Sequence, residues 1–136
     1  MIESASEFFE LRLSEDPEKY FRASHEEASL SVWREVLNTY PEMAVWVAQN
    51  KTIQYEILEQ LALHPDARVR GMVAMKNKLE ENMLMLLSQD SEESIRMTVA
   101  RHKRTTKKIL NQLLNDSWSE ISSFVKARLA SENGTD

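Results

Sequence analysis

Apolar residues return along this chain with a fixed period of 26 residues. Each copy begins with three apolar positions spaced i, i+1 and i+4, and ends with two more that lie four residues apart. The first three positions are Ile57, Leu58, Leu61, then Met83, Leu84, Leu87, then Ile109, Leu110, Leu113, and the last two are Val69, Val73, then Ile95, Val99, then Ile121, Val125. These spacings follow one face of a helix and not the alternation of a strand, so each copy predicts a pair of short helices.

The residues between the apolar positions predict where these helices begin. Asn77 precedes Glu80, and Asp90 precedes Glu93, with the spacing of a capping box. Pro65 fits the first helical position, where the missing N–H costs nothing. The predicted helices cover about 42–49, 53–63, 65–76, 79–89, 91–102, 105–115 and 117–130.

The first 40 residues fit the repeat less well, and we expect them to form an irregular helical cap. Ser4 can cap a helix through Leu13, Pro17 can start a second helix through Ala23, and residues 30–39 carry a helical apolar stripe. A stack of repeats needs such a terminal unit, because a middle unit at the end would expose an apolar flank. We therefore expect one domain over 1–136, with the cap in 1–40, repeats in 41–129 and a flexible tail in 130–136.

The repeated unit shares a motif with a known family. Its first helix carries leucines, Asp90 opens the turn, and its second helix carries the apolar–arginine pair Ile95 and Arg96. This pattern resembles HEAT-type repeats, and also the variant leucine-rich repeats of bacterial α-solenoids. The resemblance covers residues 41–129.

The resemblance implies an all-α, right-handed α-solenoid of short helix pairs, similar to HEAT and armadillo proteins. Two positions depart from the pattern, because His64 replaces the aspartate and Ser122 replaces the arginine. The family implies little about function, since this fold carries many unrelated roles. It also implies that the second helix of each pair lies on the concave side of the stack.

A concave row of residues is therefore the candidate surface for binding a partner. Helical spacing places the first, fourth and eighth residues of each second helix on its outward face. Methionine adapts its shape to a partner, and arginine is enriched at protein interfaces. The alternative for the two methionines is that they fill gaps between units. The concave row consists of Gln49, Arg68, Met75, Met97 and Arg101.

The net charge of −5 is unevenly distributed along the chain. Residues 1–66 hold 13 acids against 5 Lys and Arg, whereas residues 67–136 hold 9 acids against 12 Lys and Arg. The acidic first half favours a basic partner, while a basic segment without acids in the second half favours an anion. The alternative for that segment is a solvated helix face. Its candidate contacts for an anion or a nucleic acid are Lys103, Arg104, Lys107 and Lys108.

Composition excludes several kinds of site. The chain has no cysteine, which excludes disulfides, thiolate zinc sites and cysteine nucleophiles. Its two glycines, Gly71 and Gly134, cannot form the glycine-rich loops that hold phosphates. The three histidines lie far apart, and no Ser/His/Asp signature is present. We therefore expect no catalytic residue, no metal site and no cofactor.

The remaining function class is binding. No apolar run approaches the ~20 residues that span a bilayer. The stretch MIESASEFFE is acidic, whereas a secretory signal is basic and then apolar. We therefore expect a soluble cytoplasmic protein. We expect a non-catalytic protein–protein interaction module, whose size and acidity resemble immunity proteins that inhibit a basic toxin or nuclease. The alternative is nucleic-acid binding through residues 96–108. The partner's identity, the face that binds and the oligomeric state stay open.

Overall fold

The computed structural model describes residues 1–133, which form ten α-helices and one short 3-10 helix. Within that range there is no β-strand, only an isolated bridge between Ile2 and Ala28. The predicted all-α class is therefore confirmed for the described residues. The chain divides into two compact units, residues 1–73 (unit 1) and 74–136 (unit 2).

Unit 1 begins with the three helices predicted for the N-terminal region. The Ser4 hydroxyl accepts the Glu7 N–H at 3.1 Å, and Asp16 caps the second helix, whose first residue is Pro17. These caps satisfy N–H groups that have no partner inside a helix. The elements of unit 1 are α1 (Ala5–Leu13), α2 (Pro17–His25), α3 (Leu30–Thr39), a 3-10 helix (Pro41–Met43), α4 (Ala44–Gln49), α5 (Tyr55–Leu61) and α6 (Ala67–Ala74), which ends one residue beyond the unit.

The core of the N-terminal helices is centred on an aromatic pair. Phe8 and Trp33 are both fully buried, and their rings meet edge to face with centroids 5.2 Å apart. This geometry brings the positive edge of one ring to the negative face of the other. Trp33 is therefore a core residue that joins α1 to α3.

Unit 2 contains the later repeats. Its helices are α7 (Glu81–Leu87), α8 (Glu93–Arg101), α9 (Lys107–Leu113) and α10 (Ser119–Asn133). Helix α10 continues three residues past the predicted end at residue 130, so the first part of the predicted tail is helical. The rest of that tail, residues 134–136, lies outside the described residues.

The five repeated apolar positions form the core in every copy. None of their side chains is more than 6% exposed, and Leu58 is the most exposed of them. Burial of a leucine or isoleucine side chain contributes roughly 1.5–3 kcal/mol. The 26-residue pattern in the sequence is therefore a pattern of core positions.

The turn before each second helix uses one repeated hydrogen bond. A side chain at the start of the turn accepts the N–H two residues later, which delays the helix by about two residues relative to the prediction. The predicted capping boxes at Asn77 and Asp90 are wrong, because the N-caps of α7 and α8 are Glu80 and Glu92. The three bonds are Asp66 N–H to His64 Nδ1 at 3.0 Å, Glu92 N–H to Asp90 Oδ1 at 3.0 Å, and Trp118 N–H to Asp116 Oδ1 at 2.9 Å. His64 therefore fills the aspartate's role.

Side chains at one repeated position hold helix ends together. In unit 1, Asn50 donates to the carbonyls of Ala23 at 2.9 Å and Glu26 at 3.1 Å. In unit 2, which carries the later copies, His102 Nε2 donates to the Lys76 carbonyl at 2.7 Å, and Arg128 Nη1 donates to the carbonyls of Ala100 at 2.6 Å and His102 at 2.9 Å. We call these contacts rungs. Each rung satisfies carbonyls that the end of a helix leaves without a partner.

A largely buried ion pair joins α8 to the turn before α10. Arg96 donates from Nε and Nη2 to the two Asp116 carboxylate oxygens at 2.8 and 3.1 Å, with side chains only 13% and 6% exposed. Its Nη1 also donates to the Asp90 carbonyl at 2.8 Å. Burial alone would raise the pKa of Asp116, but hydrogen bonds from Arg96 and from the Trp118 N–H outweigh it and hold this pKa below its ordinary value.

Replacing Arg96 with methionine is expected to destabilise the protein. The substitution leaves the Asp116 carboxylate nearly buried and without its cation, which costs about 3 kcal/mol of unfolding free energy. Denaturant unfolding followed by circular dichroism measures this loss. The matched control is Arg101→Met, an exposed arginine of the same helix, which is expected to change stability by less than about 1 kcal/mol. Equal losses in the two variants would contradict a structural role for Arg96.

Candidate functional site

The concave row is divided between the two units, and each part is described separately. In unit 1, Gln49 is half-buried at the end of α4, and Arg68 lies in the first turn of α6 with its side chain 80% exposed. Arg68 pairs with Asp66 through Nη2 at 2.7 Å, and this hydrogen bond holds the pKa of Asp66 at about 2. Within residues 1–73 no hydrogen bond or ion pair joins Gln49 to Arg68.

In unit 2 the row has a more apolar character. Met75 is 69% exposed, Met97 is half-buried, and Arg101 is exposed at the end of α8. The Arg101 guanidinium lies 5.5 Å from the centroid of the Phe124 ring on α10. Among the residues that the structure describes, Arg101 has no acidic partner. The part of the row in unit 2 therefore offers methionine and arginine side chains, with the Phe124 ring beside Arg101.

The four predicted anion contacts lie on one fixed loop and the helix that follows it. Lys103, Arg104, Lys107 and Lys108 are exposed, and none of them pairs with an acid within the described range. The loop is held by His102, whose Nδ1 accepts the Arg104 N–H at 3.0 Å while Nε2 donates to the Lys76 carbonyl. The two loops that follow α6 and α8 therefore lie side by side at this point.

Two other arginines of the basic region serve the fold instead. Arg96 is paired with Asp116, and Arg128 donates to backbone carbonyls through its rung. Their side chains are only 13% and 16% exposed, whereas the four cations of the loop and of α9 are exposed. The basic surface that remains for a ligand is smaller than the sequence segment 96–108 and begins at Arg101.

Part of the acidic surface of unit 1 is also engaged. Arg22 pairs with Glu26 on its own helix end and with Glu7 on α1, at an Nη2–Oε2 distance of 3.2 Å for Glu7. The hydrogen bond from Arg22 lowers the pKa of Glu26 to about 2. Glu7 and Glu26 are therefore less available to a basic partner than exposed acids of unit 1 such as Glu3, Glu10, Glu15, Asp16 and Glu27.

The structure assembles one cluster that the sequence analysis missed. The Arg12 guanidinium on α1 packs against the ring of Trp46 on α4 at 3.5 Å, and against the ring of Tyr20 on α2 at 4.7 Å, measured from Cζ to each centroid. We call these three side chains the Arg12 cluster. Within residues 1–133 no carboxylate pairs with Arg12, and its buried Nε has no hydrogen-bond acceptor.

Exposed apolar side chains directly follow two members of the Arg12 cluster in the sequence. Leu13 and Phe21 are each more than half exposed, and Tyr20 is itself partly open to solvent. The available sequence signal was the placement of aromatic residues, because seven of the ten lie in the first 46 residues. That signal marks a region rich in aromatics, but it cannot show which rings a particular arginine contacts.

The described part of the chain contains neither a membrane-spanning helix nor a cluster of metal ligands. No helix there is both long and apolar enough to cross a bilayer. No three His, Asp or Glu side chains there come together in an arrangement that holds a metal ion. Comparison of the chain with protein-family models, with curated proteins and with solved structures finds no match.

Low pH is expected to weaken the contact between Arg22 and Glu26, because it protonates the Glu26 carboxylate. The folded-state pKa of Glu26 lies below its ordinary value of 4.5, so its contribution to stability is complete above pH 4.5 and is lost as the pH falls through about 2. Carboxyl chemical shifts from an NMR titration measure this pKa directly. Stability measured against pH is expected to fall less steeply in this range for Glu26→Gln than for the control Glu27→Gln, and equal slopes would contradict the assignment.

Proposed function

We propose that this protein is a non-catalytic module that binds another protein. The observation that carries the proposal is the surface of α8 and α10, where Met97 lies in the middle of α8 and Arg101 packs on Phe124 without an acidic partner among the described residues. Aromatic residues, methionine and arginine are enriched at protein interfaces. Methionine also adapts to partners of different shape.

The proposal includes a small right-handed α-solenoid of HEAT-like or armadillo-like helix pairs. Its support is the spacing of the rungs in unit 2, where His102 reaches the carbonyl of Lys76 and Arg128 reaches that of His102, each 26 residues earlier in the chain. A bond between equivalent positions of successive copies is the contact that a stacked repeat requires. Burial of the same five positions in every copy agrees with this arrangement.

The proposed partner is a basic protein. The proposed role is that of an immunity or inhibitor protein, which binds a basic toxin or nuclease and masks it. Unit 1 holds 13 acids against 7 Lys and Arg. Several of these acids are exposed, including Glu10, Glu15 and Asp16. A surface of this sign attracts a basic protein and speeds its association at low salt.

Affinity capture from a native lysate is expected to retain one protein. The tagged protein is mixed with nuclease-treated lysate and washed at high salt, and retained proteins are identified by mass spectrometry. The double variant Arg68→Ala/Arg101→Ala is expected to lose the retained protein, because both arginines belong to the concave row. The matched control is Arg34→Ala/Lys51→Ala, which removes two exposed cations elsewhere in unit 1.

Two outcomes would contradict this proposal. Retention of no protein would remove the support for a binding module. Retention that is equal in both double variants would exclude the concave row as the binding surface. Survival of cells that co-express a candidate toxin would in turn support the inhibitor class.

Nucleic-acid binding is the second candidate, favoured by the fixed basic loop in unit 2. The four exposed cations of this loop and of the first turn of α9 have no acidic partner in the described range, and His102 holds the loop in place. Such a surface binds phosphates mainly through charge, so its affinity falls with salt. The net charge of −5 for the whole chain acts against this function.

Salt dependence is expected to identify this second function if it exists. Replacement of Lys103, Arg104, Lys107 and Lys108 by glutamine removes up to four phosphate contacts. The slope of log affinity for a DNA duplex or a tRNA against log salt then falls by about 3 to 4. Fluorescence anisotropy measures the slope, with Lys19→Gln/Lys51→Gln in unit 1 as the control. Absence of salt-dependent binding in the unaltered protein would exclude the function.

A further inference from the structure

The Arg12 cluster holds a cation that is unpaired within the described residues. The guanidinium packs on Trp46 at 3.5 Å, which is the distance of a ring stack, so its N–H donors lie along the ring plane and not against it. The second ring, that of Tyr20, comes from a different helix. Three helices thus fix the position of one guanidinium before any partner arrives.

The hydrogen-bonding capacity of this guanidinium is unused by the described chain. An arginine has five N–H donors, and Arg12 makes no hydrogen bond with its side chain to any residue in 1–133. Two other arginines of unit 1 behave differently, because Arg22 pairs with Glu26 and Arg68 pairs with Asp66. Because Nε is buried, the donors left for a partner are the N–H groups of Nη1 and Nη2, whose planar fork matches an anion with two oxygens, such as a carboxylate.

The charge around the cluster selects the source of that anion. Four exposed acids lie within six residues of Arg12 in the sequence, on α1, on α2 and in the turn between them, and they are Glu10, Glu15, Asp16 and Glu18. They repel a nucleic acid, which brings a phosphate at every nucleotide, and they also disfavour a free anion. The site instead attracts a partner protein that carries one carboxylate with basic side chains next to it, because these basic side chains are drawn to the acids near Arg12.

We propose that the Arg12 cluster anchors an aspartate or glutamate side chain of a partner protein. The exposed side chains of Leu13 and Phe21 receive apolar residues beside that carboxylate, and the surrounding acids pair with its basic neighbours. Tryptophan, tyrosine and arginine are the residues that most often dominate binding energy at interfaces. This inference rests on the proposed protein-binding function and assigns it a second surface, in unit 1.

Selection from a random peptide library tests the inference with a defined probe. The immobilised protein is expected to enrich short peptides that carry Asp or Glu next to an apolar residue and flanked by Lys or Arg. Replacing that acid by its amide in a selected peptide is expected to weaken binding about tenfold or more, since it removes a hydrogen-bonded charge pair. This comparison uses the unaltered protein, so it does not depend on the folding of a variant.

Protein variants identify the anchor. Arg12→Gln and Arg12→Lys are both expected to lose the selected peptides, because lysine keeps the charge but not the planar fork. Arg34→Gln, which removes an exposed arginine from α3, is expected to bind like the unaltered protein. In the NMR spectrum, the Nε–H signal of Arg12 is expected to shift when the peptide binds. Circular dichroism confirms that each variant is folded.

Three results would overturn the inference: enrichment of peptides without an acid, binding by Arg12→Lys equal to that of the unaltered protein, or no enriched peptide at all. The proposed function fails separately, through the lysate capture described above. A partner protein that is retained equally by Arg12→Gln and by the unaltered protein would exclude the Arg12 anchor while leaving the binding module in place.

Discussion

The short length of the helices is the constraint on which the rest of this structure depends. An α-helix leaves four N–H groups and four C=O groups without partners inside it, and α5, α7 and α9 each contain only seven residues. Most backbone polar groups in such helices must therefore find partners elsewhere. The helices paired with these show the same need: the turn bonds at His64, Asp90 and Asp116 act at the starts of α6, α8 and α10. The rungs from Asn50, His102 and Arg128 supply donors at or just beyond the ends of α2, α6 and α8.

This constraint explains why charged residues near one another in sequence have different roles. Arg96 and Arg128 carry long side chains that reach carbonyls at helix ends, and they are held there by several hydrogen bonds. Lys103 lies beyond the end of α8 and Lys107 begins α9, and both are exposed to solvent. A count of basic residues along a segment therefore overestimates the surface that a ligand can reach.

The sequence predicts the fold much better than the candidate sites, for a physical reason. Core positions such as Leu84 and Val99 repeat because every copy must bury the same helix face, and periodicity reveals them directly. The helix starts were wrong by about two residues, because the Asp90 side chain bonds within the turn and not to the helix. The Arg12 cluster joins three helices that are distant in sequence, so no local pattern of residues contains it.

The rungs have a consequence for how this chain can change in length. Their acceptors are backbone carbonyls, which every amino acid provides, so the residues at Lys76 and Ala100 can vary without loss of the bond. The donors, by contrast, must recur at a spacing of 26 residues, as His102 and Arg128 do. Evolution can therefore lengthen or shorten such an array by whole copies, whereas a gain or loss of a few residues within a copy takes every later donor out of register.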